Sequence, residues 1–126
     1  MIIESTAISL NVPQPRASAE FLQQHFGFTI AMEQNDSFIS LAHPAGGPNV
    51  IFLQTGLPTF KPAHRAGSAG DGLLLAFVVD DIDAAHRELV EAGANVVTDP
   101  ETEPWGERFS QYQDPNGIIV QLVQWV

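Results

Sequence analysis

A βαβββ pattern occurs twice in this chain, and no other property of the sequence narrows the fold as far. Residues 7–12 read Ala-Ile-Ser-Leu-Asn-Val, and residues 74–79 read Leu-Leu-Ala-Phe-Val-Val. Each is a short run of strand formers closed by turn or cap residues. Pro13-Gln14-Pro15 and a helical stretch from Arg16 to Phe26, ending at Gly27, follow the first run. Asp80-Asp81 and a helical stretch from Ile82 to Ala92, ending at Gly93, follow the second. Both glycines stand where a helix C-cap is expected. Three strand candidates then follow each helix. They are Phe28–Met32, Ser37–Ala42 and Asn49–Gln54 in the first half, and Asn95–Thr98, Glu107–Gln113 and Ile118–Trp125 in the second. The halves are offset by about 67 residues. Two units are too few for a solenoid, but two sheets side by side make one domain.

The apolar spacing supports this reading. Ile82, Ala85, Leu89 and Ala92 give the second helix one apolar face, and Ala17, Phe21 and Leu22 do so for the first. Asp80, Asp81 and Asp83 crowd the start of the second helix, where carboxylates cap free amides and suit the helix dipole. Capping explains them better than a cation site does. Asp114-Pro115-Asn116-Gly117 is a strong turn, because Asn-Gly supplies the positive-φ positions of a tight hairpin. Residues 55–72 are rich in Gly and Pro and lack periodicity. A connection of that length is read as a flexible flap or linker. The expected organisation is one domain over 1–126, with module one at 5–54, the connection at 55–72 and module two at 73–126.

Composition restricts the partners. Fifteen acidic side chains stand against five basic ones, for a net charge of −10. Nucleic acid and anionic membranes are disfavoured. No apolar run reaches the roughly 18 residues that span a bilayer. The N-terminus has neither a basic leader nor an apolar signal core, so a cytoplasmic location is expected. The absence of cysteine excludes disulfides, thiolate metal sites and a cysteine nucleophile. No Ser-His-Asp arrangement, phosphate loop or dinucleotide fingerprint is present.

Strand parity divides the side chains into two faces. In 7–12, Ile8, Leu10 and Val12 oppose Ala7, Ser9 and Asn11, and the apolar set belongs under the helix. In the last strand, Gln121 interrupts an apolar run and requires a partner or water. Val50, Phe52 and Gln54 oppose Ile51 and Leu53. Tyr112 and Phe109 lie on opposite faces. His25 is read as lying near helix C-terminal carbonyls, His43 in a solvated turn and His86 on the helix surface. His64 shares the long connection with Lys61 and Arg65. Glu101, Glu103 and Glu107 are read as a solvated acidic loop around Trp105.

The stretch Val79-Asp80-Asp81-Ile82-Asp83-Ala84-Ala85, with Pro104-Trp105-Gly106 and Asp114-Pro115-Asn116-Gly117, resembles the second module of the vicinal oxygen chelate superfamily. That group includes glyoxalase I, bleomycin-resistance proteins, fosfomycin-resistance enzymes and extradiol dioxygenases. The resemblance covers essentially the whole chain. It implies an α+β fold in which two βαβββ modules form curved mixed sheets around a concave cavity. The metal enzymes of the group hold a divalent ion with four side chains, usually His, Glu or Gln, from the first and last strand of each module. The matching positions here are Ala7, Phe52, Leu74 and Gln121, and only Gln121 carries a donor. One neutral amide does not hold a divalent metal. The resemblance therefore points to the bleomycin-resistance branch, with no metal and no cofactor.

The expected function is metal-independent binding of a small molecule, such as an antibiotic or aromatic metabolite, by a homodimer. The rival is a lyase, isomerase or dioxygenase of the same group, with no catalytic residue assigned. The expected ligand-binding residues are Ser9, Asn11, Phe38, Phe52, Gln54, Trp105, Arg108 and Gln121, with 55–72 as a lid. Trp105 offers a stacking wall. Arg108 pairs with a ligand carboxylate or, alternatively, with Glu107 or Glu103. For Phe52, core packing and cavity lining are both open.

Overall fold

The computed structural model describes all residues from 1 to 126. The elements run β1 (Ala7–Val12), α1 (Pro15–Phe26), β2 (Thr29–Gln34), β3 (Phe38–Ala42), β4 (Asn49–Gln54), a 3-10 turn (Ala63–Arg65), β5 (Leu74–Val78), α2 (Ile82–Glu91), β6 (Asn95–Thr102), β7 (Glu107–Gln113) and β8 (Ile119–Trp125). The chain forms two compact units, Met1–Asp71 and Gly72–Val126. Each is one βαβββ module with a four-stranded mixed sheet, ordered β1-β4-β3-β2 in the first and β5-β8-β7-β6 in the second. The first strand of each module pairs parallel with its last, and the other pairings are antiparallel. The connection from 55 to 71 belongs to the first unit.

In module one, α1 covers one face of the sheet. Leu10 and Val12 of β1, Ile39 and Leu41 of β3, and Val50 and Phe52 of β4 are buried, as are Ala19, Phe21 and Leu22 of the helix. The helix stripe starts at Pro15 and runs through Ser18 and Ala19, so it is rotated from the expected one, and Ala17 is only partly covered. Pro15 opens the helix at a position where a missing N–H costs nothing. Gly27 closes it at φ 74°, a left-handed conformation that glycine adopts without strain.

In module two, α2 packs on Leu75 of β5, Tyr112 of β7, and Val120 and Leu122 of β8, all buried. Ile82 and Leu89 are its buried anchors, while Ala92 is exposed. Asp81 is the N-cap and accepts a hydrogen bond from the Ala84 amide at 3.0 Å. β6 extends to Thr102, four residues beyond the expected Thr98. It passes through Pro100 because β6 is a sheet edge, where a missing donor is tolerated. The turn into β8 is held by Asp114, whose Oδ1 accepts from the amides of Asn116 (2.9 Å) and Ile118 (2.8 Å).

Candidate functional site

Each sheet has one face under its helix and one face without a helix, here called the open face. In module one, the pairings Ser9↔Ile51, Asn11↔Leu53, Phe38↔Leu53 and Ser40↔Ile51 place these side chains together on the open face. Ser9 and Phe38 therefore lie on the open face of module one. Phe52 does not. It pairs with Leu10, is 1% exposed and belongs to the core under α1. Gln54, two residues on, shares that helix-side parity at the exposed strand end. Alternation along β4 leaves no other arrangement once Val50 is buried.

Asn11 is on the open face but is already engaged. Its amide nitrogen donates to the carbonyls of Arg65 and Gly67, the latter at 2.9 Å. Its backbone carbonyl accepts from the Ala69 amide at 3.0 Å, and Gly56 donates to the Ala66 carbonyl at 2.8 Å. Asn11 thus ties the connection to β1. His43 is not a solvated turn residue. Its Nδ1 accepts from the Ala45 amide at 3.0 Å, which leaves Nε2 to donate to the Phe26 carbonyl at 2.9 Å. The imidazole thereby joins the β3–β4 turn to the end of α1.

Module two carries a row of polar side chains across its open face. Gln111 lies opposite Gln121 and Thr98 opposite Gln111. Thr98 Oγ1 donates to Gln111 Oε1 (2.8 Å), Gln111 Nε2 to Gln121 Oε1 (2.8 Å), and Gln121 Nε2 to Glu107 Oε1 (3.2 Å). From the other side, Trp105 Nε1 donates to Glu107 Oε2 (3.2 Å). Every donor in the row points towards the carboxylate. Bonds aligned in one direction reinforce each other, most of all when they end on a charge. Apolar side chains border the row: Leu74 and Val78 of β5 are 46% and 68% exposed.

The remaining expected ligand contact, Arg108, faces the helix. It donates to both Asp83 oxygens, from Nη2 (2.7 Å) and Nε (3.2 Å), and to Thr102 Oγ1 (3.1 Å). The guanidinium holds the Asp83 carboxyl below its ordinary range. Asp83 is thus the partner of Arg108, in place of Glu107 or Glu103. His86 is not a surface residue either. Its Nδ1 meets the Tyr112 hydroxyl at 2.7 Å, and that hydroxyl meets Ser110 Oγ at 2.9 Å. Spacing of four from Ile82 and three to Leu89 places His86 on the buried stripe of α2, a signal legible in the sequence. Gln111 was also legible, since β7 parity puts it on the face of Phe109.

The chain belongs to the Glyoxalase/Bleomycin resistance protein/Dioxygenase superfamily, whose family model matches residues 4–122. Among solved structures, a glyoxalase/bleomycin resistance protein/dioxygenase from Nocardioides is similar at 22% identity and TM-score 0.79, over 100% of this chain and 85% of that one. TnmS3, an antibiotic-binding protein from Streptomyces sp. CB03234, is similar at 23% identity and TM-score 0.75, over 99% and 98% of the two chains. A lactoylglutathione lyase from Agrobacterium tumefaciens is similar at 17% identity and TM-score 0.76, over 94% and 91%. At these identities the likeness establishes the shared fold. No curated protein matches the chain.

The residues do not fit the divalent metal of the superfamily's metal enzymes. Leu74 and Ala76 of β5 pair with Ile119 and Gln121, and in module one Ala7 and Ser9 pair with Asn49 and Ile51. The counterpart of Gln121 in β4 is therefore Ile51, not Phe52. Ala7, Ile51 and Leu74 have no donor atom, and both ends of the Gln121 amide are committed to Gln111 and Glu107. Nowhere do three His, Asp or Glu side chains gather as a ligand set. No helix is long and apolar enough to cross a membrane.

Proposed function

We propose that this chain binds a small organic molecule on the open face of its second sheet without a metal. The observation that carries this reading is the row Thr98-Gln111-Gln121-Glu107-Trp105. It sets directional polar groups among apolar side chains, the usual makeup of a small-molecule site. Gln121 and Trp105 remain ligand contacts in this reading, with Glu107 and Gln111 added. Ser9 and Phe38, on the open face of the first sheet, are not used by this reading, and Asn11 positions the connection. Phe52, Gln54 and Arg108 take no part. The similar fold of TnmS3, an antibiotic-binding protein, supports sequestration as the role. Pairing of two copies belongs to this reading, and sedimentation velocity would measure it directly.

The test combines elemental analysis with a ligand screen. Protein purified without chelator should hold far less than one metal per chain, and members of an aromatic and amphiphilic compound library should raise Tm. Stoichiometric metal would move the lyase or dioxygenase reading ahead. A library that leaves both Tm and tryptophan emission unchanged would sink the binding reading.

A further inference from the structure

The end of the second sheet where β7 begins and β8 finishes has a composition that selects for charge. Glu107 opens β7, and Trp125 of β8 lies directly opposite it on the same face. Cross-strand partners stand about 5 Å apart at Cβ. Trp105, two residues before Glu107, donates its indole N–H to the carboxylate. The two indoles are 67% and 61% exposed. They are held in register by the backbone: Val126 donates to the Gly106 carbonyl at 2.8 Å, closing the chain end onto the turn that carries Trp105. A Cβ on Gly106 would lie 2.9 Å from the Val126 carbonyl oxygen, and φ there is +87°. Only glycine fits this approach comfortably.

Glu107 is a carboxylate with acceptor capacity left over. Each oxygen accepts one hydrogen bond, from Gln121 or Trp105, and a carboxylate offers about four acceptor positions. No ion pair of the chain involves it. The two basic residues of module two, Arg87 and Arg108, lie on α2 and on the helix side of β7, where Arg108 is consumed by Asp83. Glu101 adds a second carboxylate to the open face, opposite Phe109. An anion approaching here meets negative potential with no compensating cation on the open face of this sheet. An ammonium group meets a carboxylate beside two exposed indoles, and carboxylates and aromatic rings both attract cations.

We propose that Glu107, Trp105 and Trp125 form a subsite for an organic ammonium ion, so that the ligand of this face is a cationic molecule with a flat apolar body. The proposal rests on the binding reading above and deepens it. Gln121, at the end of the polar row, and Trp105 each donate one hydrogen bond to Glu107, which orients the carboxylate before the cation arrives.

The chain has only two tryptophans, both in this subsite, so its tryptophan emission reports on nothing else. Three probes with one benzyl body decide the matter: 2-phenylethylammonium, 2-phenylethanol and 3-phenylpropanoate. The ammonium probe is expected to bind about tenfold tighter than the other two, on the scale of a desolvated cation–aromatic contact plus a carboxylate. Its affinity should fall as salt is raised, which needs no variant. Glu107→Gln keeps the side-chain shape and one of the two accepted hydrogen bonds, removes the charge, and should abolish the preference, with unchanged circular dichroism. Equal binding of all three probes, or a preference that survives Glu107→Gln, would overturn the ammonium subsite while leaving the binding reading intact. No binding of the ammonium probe at millimolar concentration would also overturn it, and the library screen then decides the wider reading separately.

Discussion

The Tyr112 hydroxyl stands 2.7 Å from His86 Nδ1 and joins the middle of β7 to α2 inside module two. Tyr112 is fully buried, and its hydroxyl also meets Ser110 Oγ at 2.9 Å. Burial raises its pKa, so the neutral phenol is the native form. Tyr112→Phe retains the ring but leaves two partners without a mate in a place water reaches poorly. The expected loss is about 1–3 kcal/mol, read from urea unfolding. Stability should also fall above pH 10, because the unfolded chain ionises its phenol before the folded one does. In Tyr112→Phe that alkaline fall should shrink. A variant as stable as the wild type would show that the hydroxyl contributes nothing to holding α2 on its sheet.

Arg108 and Asp83 make the second tie between α2 and β7, and its strength should be small. The pair is bidentate, but the side chains are 27% and 50% exposed. Solvent screening leaves such pairs only a small coupling, even with good geometry. A double-mutant cycle with Arg108→Ala and Asp83→Ala should return a coupling of that size. Both singles should bind ligand as the wild type does, because Arg108 faces the helix. Loss of ligand binding in Arg108→Ala would place the guanidinium at the site after all.

Asn11 makes its contribution locally. Its amide is a double donor to the carbonyls of Arg65 and Gly67, so Asn11→Ala removes both ties at once. The freed carbonyls are in an exposed segment where water can replace the lost donor. The global cost should therefore stay near the low end for a hydrogen bond, about 0.5–1 kcal/mol. The local effect should be larger. Trypsin should cut after Arg65 faster in the variant, and amides from 63 to 69 should exchange faster. Unchanged cleavage would show that the connection is fixed by other contacts. This gives the segment expected to be a flexible flap a defined anchor.

The two-module architecture was legible because it depends on local signals: alternation in β1, glycine after each helix, an Asp-Pro-Asn-Gly turn. The faces were legible too, yet Phe52 and Gln54 were placed among ligand contacts against their own parity with Val50. An aromatic side chain in a sheet satisfies either face by composition, and only the buried partner Leu10 decides. Arg108 illustrates a different limit. Parity puts it opposite Phe109, but its choice of Asp83 over Glu107 depends on how α2 crosses β7, which no local pattern encodes. Glu107 was hidden by its neighbours. Beside Glu101 and Glu103 it reads as one more loop acid, whereas it opens β7 and ends a row of aligned hydrogen bonds.

His25 sets an acid-side dependence of stability. It lies in the last turn of α1 with its ring 5.0 Å from that of Phe21 and 6.3 Å from that of Phe26. Its Nδ1 is buried with no hydrogen-bond partner. Burial lowers its pKa, which outweighs the favourable position at a helix C-terminus. The sign follows from linkage. The folded chain keeps this imidazole neutral, while the unfolded chain takes up a proton near pH 6.5. Stability should therefore be full above about pH 6.5 and decline as pH falls below it, until the folded form is protonated as well. The Asp83 carboxylate acts in a lower window. Its depressed pKa costs stability only as pH falls below about 4, so the two effects separate. His25→Phe keeps an aromatic ring beside Phe21 and Phe26 and removes the titrating nitrogen. Urea midpoints at pH 7.5 and 5.5 should differ less in this variant than in the wild type. If the difference is the same in both chains, His25 is not the group that senses the acid.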